Sequence, residues 1–107
     1  MYARIVTFRL DGPSHAEYER QAVALADAFA AWPGLLAKVW LGDEAAGRYG
    51  GLYLFESAAA AEASRQTPEF LSLHHLPVFT DLRIEELEVL EAPTAVTGGP
   101  FTAVVAA

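Results

Sequence analysis

The sequence predicts an α+β fold in which four short strands and two helical regions alternate as β-α-β, β-α-β. Three observations carry that expectation. Four segments of strand length are rich in aromatic and β-branched residues, two helical patterns open on residues that cap helices, and glycine or proline stands at the joints between them. This order is the ferredoxin-like one, a four-stranded antiparallel sheet with its helices on one face. A chain of 107 residues supports one core, so we read one domain over residues 1–92.

Tyr2 to Leu10 (YARIVTFRL) forms the first strand and stops at the turn Asp11-Gly12-Pro13. Ser14 then precedes Glu17 by three residues, a capping box that starts a helix running to about Trp32. Its apolar stripe is Tyr18, Ala22, Leu25 and Phe29, and Pro33-Gly34 ends it. Leu35 to Leu41 and Tyr49 to Phe55 make a hairpin around the loop from Gly42 to Gly47. Ser57 caps an alanine-rich helix that Pro68 interrupts, and Glu69 to His75 adds one or two further turns. The last strand lies within Val78 to Leu90, its charged half marking an edge or a solvated end. Residues 93–107 read as a C-terminal arm, either flexible or packed through Phe101 to Val105 on a partner subunit.

Composition narrows the function. The chain is 53% hydrophobic and carries a formal charge of −7 with scattered basic residues, so neither nucleic acid nor an anionic membrane is an expected partner. No apolar run approaches the roughly 20 residues that cross a bilayer, and Arg4 and Arg9 interrupt the first strand, which is unlike a signal peptide. With no cysteine there is no thiolate nucleophile or ligand, and a cytoplasmic location is the default expectation. Gly47-Arg48-Tyr49-Gly50-Gly51 fits no phosphate-binding loop, and no nucleophile elbow occurs. The three histidines, His15, His74 and His75, lack metal-site spacing, so no metal is expected. The acidic run from Glu85 to Glu91 is better read as a solvated strand end than as paired catalytic carboxylates.

The middle strands are apolar on both sides, whereas a sheet with one wet face should alternate apolar and polar residues. Something must therefore cover the helix-free face. At Pro33-Gly34-Leu35-Leu36-Ala37-Lys38-Val39-Trp40 and Gly50-Gly51-Leu52-Tyr53-Leu54-Phe55 the sequence resembles the YdhR-like monooxygenases, a branch of the dimeric α/β-barrel superfamily that includes the antibiotic-biosynthesis monooxygenases. The resemblance also takes in the Asp11-Gly12-Pro13 turn and weakens after Ala63. It implies that two subunits pair their sheets face to face, forming a homodimer, and that the substrate is a small aromatic or polyketide-like molecule oxidised by O₂ without a cofactor. Other members of the superfamily degrade haem, isomerise lactones or cyclise polyketides, so the fold does not choose the reaction.

Within such a barrel we place Val6, Phe8 and Leu10 under the helices and turn Ile5, Thr7 and Arg9 into the lumen, since strand side chains change face at every step. A lysine pressed into a packed helix–sheet interface would be costly unless paired, so Leu36, Lys38 and Trp40 are also turned into the lumen. Tyr49, Gly51, Tyr53 and Phe55 join them, with Leu52 and Leu54 under the helices. Trp40, Tyr53 and Phe55 then either grip a flat ligand or fill the dimer core. His74, four residues after Phe70, resembles a substrate-facing or haem-facing histidine of relatives, and of His74 and His75 at most one can face a pocket. The alternative is a polar helix end where histidine suits the helix dipole. The chain has no asparagine, and Phe55 stands where haem-degrading relatives carry tryptophan, so haem degradation is not expected.

These readings give His74 as a base, Lys38 or Arg9 as the cation for a developing anion, and Trp40, Tyr53, Phe55, Gly51, Thr7, Tyr49 and His75 as the substrate wall. The competing expectations are a lyase, isomerase or polyketide cyclase using the same pocket, and a ligand-binding, stress-associated dimer without catalysis.

Overall fold

The computed structural model describes residues 1–98. It has the expected architecture: β1 (Tyr2–Leu10), α1 (His15–Ala30), β2 (Leu35–Asp43), β3 (Arg48–Phe55), α2 (Ala58–Ser64), α3 (Pro68–His75), β4 (Phe79–Glu88) and α4 (Glu91–Val96). The strands form one antiparallel sheet in the order β2-β3-β1-β4. Local chemistry sets the boundaries. Ser14 accepts from the Glu17 amide while the Glu17 carboxylate accepts from the Ser14 amide, so the capping box closes at both ends. Ser57 and Thr67 cap α2 and α3 with one bond each, accepting from the Ala60 and Phe70 amides, and Pro68 stands in the first turn of α3, where its missing N–H has no partner to lose. Pro93, where the arm was expected to begin, lies inside α4, and Phe101 to Val105 lie outside the described residues.

The core sits between one face of the sheet and the helices. It is formed by Val6, Phe8, Phe29, Trp32, Tyr49, Tyr53, Phe55, Ala61 and Phe70. Registers show which strand residues share that face. Val6 lies opposite Gly51 and Ile84, and Gly51 opposite Trp40; Arg4 lies opposite Tyr53 and Glu86, and Tyr53 opposite Lys38. One row across the sheet is therefore Lys38, Tyr53, Arg4 and Glu86. The opposite face carries Val39, Leu52, Ile5 and Glu85 in its central row.

Val6, Phe8 and Leu10 lie under the helices as expected, but β2 and β3 are turned the other way round. Lys38, Trp40, Tyr49, Gly51, Tyr53 and Phe55 face the helices, while Leu52 and Leu54 face away from them. Two physical facts produce the difference. Antiparallel pairing puts Val6 and Gly51 side by side, so burying Val6 under the helices carries Gly51 and Tyr53 with it. A register shift between Leu35 and Ala37 also breaks the alternation at the start of β2, leaving Leu36 half exposed rather than beside Lys38.

Arg4 has no exposed surface. Its guanidinium donates to Glu86 at 2.6 Å, to Ser64 Oγ at 2.8 Å and to the Ala61 carbonyl at 2.7 Å, and it stacks on the rings of Phe55 and Phe70. It ties β1 and β4 to α2 and α3. Desolvation pulls the Glu86 carboxyl up, but its bonds to Arg65 and Arg4 outweigh this and hold it below the usual carboxylate range.

Candidate active site

Between the sheet and helices α1 and α3 lies a cavity of about 70 Å³. Lys38, Trp40 and Tyr53 form its sheet wall beside Phe8, and Tyr18, Ala22, Leu25 and Leu73 close it from the helices. Two open hollows adjoin it. One of about 300 Å³ runs between β2 and α1 past Lys38, Phe29 and Leu36, and one of about 230 Å³ lies at His15, Tyr18, Gly42 and Tyr49. Trp40 borders all three.

Lys38 is the only lysine in the chain. Its ammonium position is 3.4 Å from the ring centres of Phe29 and Trp40 and 4.5 Å from that of Tyr53. Among the described residues no carboxylate lies within ion-pair distance of it. The interface tolerates this lysine because its partners are ring faces, whose quadrupoles attract a cation, and because its stem lies along apolar surface. Gly51 makes the space: a Cβ there would come within 3.0 Å of Lys38 Cε and 3.1 Å of the Tyr53 ring. Burial pulls the Lys38 pKa down to about 7, so amine and ammonium are both populated near neutrality. The phenols beside it move the other way: burial, then the neighbouring Tyr49, pushes Tyr18 up to about 12, and burial raises Tyr53 against the lowering influence of Arg4. Both therefore remain neutral hydrogen-bonding groups at physiological pH.

The structure brings three of the sequence-predicted residues, Lys38, Trp40 and Tyr53, to one cavity, on the helix side of the sheet rather than in a barrel lumen. Tyr49 borders the neighbouring hollow, and Phe55 is packed in the core against Arg4 and Trp32. Thr7 and Arg9 lie on the opposite face, where Thr7 accepts from Arg48 and Arg9 donates to the Ala46 carbonyl. His74 and His75 are exposed at the end of α3. The Phe70 to His74 spacing does become a contact, with ring centres 5.3 Å apart, but α3 offers the cavity Leu73 and neither histidine.

Sequence reading passed over His15, whose Nδ1 lies 2.9 Å from the Tyr49 hydroxyl. Gly42 leaves room for that pair, since a Cβ there would press within 3.1 Å of the Tyr49 ring. Burial, and then Glu44 and Asp43, raise the Tyr49 phenol, so it keeps its proton beside the imidazole. The available signal was position, because His15 is the first residue after a cap whose helix packs along β2 and β3.

Known proteins with this architecture include oxygenases. The "putative antibiotic biosynthesis monooxygenase" of Deinococcus radiodurans superposes with a TM-score of 0.69 at 23% identity, over 86% of this chain and 95% of that one. SnoaB, a cofactor-independent oxygenase from Streptomyces nogalater, superposes at 0.66 with 18% identity over 85% and 94%. The haem degrader MhuD from Mycobacterium tuberculosis, solved with two haems in its active site, superposes at 0.64 with 25% identity over 84% and 96%. No curated protein matches the sequence. The family model described as "Putative mono-oxygenase ydhR" matches residues 5–100, and the chain accordingly belongs to the ydhR mono-oxygenase family.

Proposed function

We propose that the chain is a cytoplasmic, homodimeric, cofactor-independent monooxygenase that oxidises a small phenolic or quinol-like aromatic with O₂. The observation that carries this reading is Lys38, a lone amine among three aromatic rings on the wall of an apolar cavity. Family membership supports the reaction type. The cavity alone is smaller than the roughly 300–1,000 Å³ of typical small-molecule sites. Displacement of the Trp40 ring, which borders all three hollows, would join them into a space of that size.

The chemistry follows from a group that can hold or release a proton near pH 7. The Lys38 amine takes the substrate O–H proton, and the ammonium so formed lies against the phenolate it has created, stabilising the charge in a dry site. The electron-rich anion forms a carbon–oxygen bond to O₂, and Lys38 returns its proton to the outer oxygen. Loss of water, which takes the ring hydrogen, leaves a quinone. One oxygen atom is retained, the other departs as water, and Lys38 is regenerated. Proton transfer, expected earlier of His74, is thus assigned to Lys38, while Tyr18 and Tyr53 remain protonated to bond substrate oxygens.

Oxygen-electrode assays with a panel of hydroxylated naphthalenes test the reading. For a substrate that turns over, Lys38→Met is expected to lower kcat/KM about 100-fold or more, with His74→Ala near wild type. Undiminished oxygen uptake in Lys38→Met would overturn the mechanism, and turnover of the same substrate under nitrogen would assign the cavity to a lyase, isomerase or cyclase instead.

The homodimer rests on the helix-free face of the sheet. Ile5, Leu41 and Leu87 are 36%, 44% and 59% exposed there, beside Val39 and Leu52. A second copy offering the same face would remove that apolar surface from water.

A further inference from the structure

Oxygen chemistry needs Lys38 only as a proton carrier and a cation, but an uncharged primary amine in an apolar cavity is also a nucleophile. We propose that Lys38 forms a reversible imine with small aromatic aldehydes and ketones that enter the cavity, giving this protein a carbonyl-binding activity separate from oxidation. The geometry favours it in three ways. The amine makes no hydrogen bond or ion pair among the described residues that would occupy its lone pair. Phe29, Trp40 and Tyr53 surround it with an apolar, aromatic wall suited to an aryl ligand. It also borders both the closed cavity and the open hollow between β2 and α1, so a ligand has a route to it.

The step is redox-neutral. The Nζ lone pair forms a bond to the carbonyl carbon, the nitrogen gives up both of its protons in turn to the carbonyl oxygen, and that oxygen departs as water while a neutral C=N replaces C=O. Tyr18 on α1 and Tyr53 on β3 line the cavity, and their hydroxyls are the groups proposed to relay protons to the departing oxygen. No carboxylate lines the cavity from α1, α3, β2 or β3, and the next cation along the row across the sheet, Arg4, stands behind Tyr53. Burial, which lowers the amine's proton affinity, therefore meets no ion pair that would restore it, and only the ring faces oppose it.

The sequence makes the test clean, because the chain's primary amines are Lys38 and the Met1 terminus. Wild-type protein is incubated under nitrogen at pH 7 with benzaldehyde and cyanoborohydride, which reduces an imine to a stable benzylamine, and the adduct is located by peptide mass mapping. Lys38 should be labelled about tenfold or more faster than Nα-acetyl-lysine amide, because an ordinary lysine at this pH is almost wholly protonated. Labelling should saturate with benzaldehyde and be slowed by toluene, which competes for the cavity without reacting. A label confined to Met1, a Lys38 rate equal to that of Nα-acetyl-lysine amide, or a rate that neither saturates nor responds to toluene would overturn the proposal. Since neither O₂ nor a quinol is present, the result is independent of whether the monooxygenase reading survives.

Discussion

Lys38 and Arg4 are both cations beside Tyr53, the first partly and the second fully buried, and they are held by opposite means. Arg4 has its hydrogen-bonding directions filled by Glu86, Ser64 and Ala61, whereas Lys38 has ring faces and no anion. Burial makes the folded protein bind a proton at Lys38 less tightly than the unfolded chain does. Between about pH 7 and the ordinary lysine range near 10.4, the unfolded state holds more protons, so stability contributed at this position rises with pH across that window. Denaturant titrations from pH 7 to 9.5 should show that rise in the wild type and lose it in Lys38→Met; equal slopes in the two proteins would contradict the placement of the amine. The sequence argument failed at this residue for a specific reason. It took a lysine in the helix–sheet interface to be costly unless paired and did not weigh aromatic rings as partners, yet Phe29, Trp40 and Tyr53 supply them with their π faces. Arg4 escaped notice because nothing along the chain shows that residues 61, 64 and 86 converge on position 4.

At the level of the element, boundaries were legible and orientations were not. Ser14 with Glu17, Ser57, Thr67 with Pro68, and Pro33-Gly34 all act on backbone groups a few residues away, so short windows of sequence contain them. Facing is a relation between strands. The alternation in β3 reads equally well in either orientation, since Leu52 and Leu54 are as apolar as Tyr53 and Phe55, and only the register with β1 decides. The cost of changing an element should reflect the same distinction. Ser14→Ala removes one cap bond and is expected to cost about 1 kcal/mol. Gly50→Ala would drive its Cβ into the Val6 carbonyl oxygen, a backbone atom that cannot swing aside without parting β1 from β3. A loss of about 3 kcal/mol or more is expected there. Chemical denaturation of the two variants checks the order, and a Gly50→Ala protein as stable as Ser14→Ala would mean that β1 and β3 are not so closely apposed.

On the scale of the whole molecule, the two faces of the sheet divide the tasks. One builds the core and the cavity, and the other exposes Ile5, Leu41 and Leu87 beside Val39 and Leu52, the surface on which the proposed second copy would sit. Strands apolar on both sides led us to expect a cover on the helix-free face and to place the pocket there, whereas the cavity of this chain lies under the helices. Sedimentation velocity should show a dimer for the wild type and a shift toward monomer for Ile5→Glu, with the variant's far-ultraviolet spectrum unchanged; a wild-type monomer at micromolar concentration would remove the pairing. The row Lys38, Tyr53, Arg4 and Glu86 then has a further meaning. A guanidinium never gives up its proton in a protein, so the charge that clamps the helices to the sheet is permanent, while two strands away in the same row the charge that faces the cavity can be put on and taken off. Had the two cations been exchanged, the clamp would loosen with pH and the cavity would hold a fixed charge. As built, the clamp on the helices keeps its charge whether Lys38 is protonated or not.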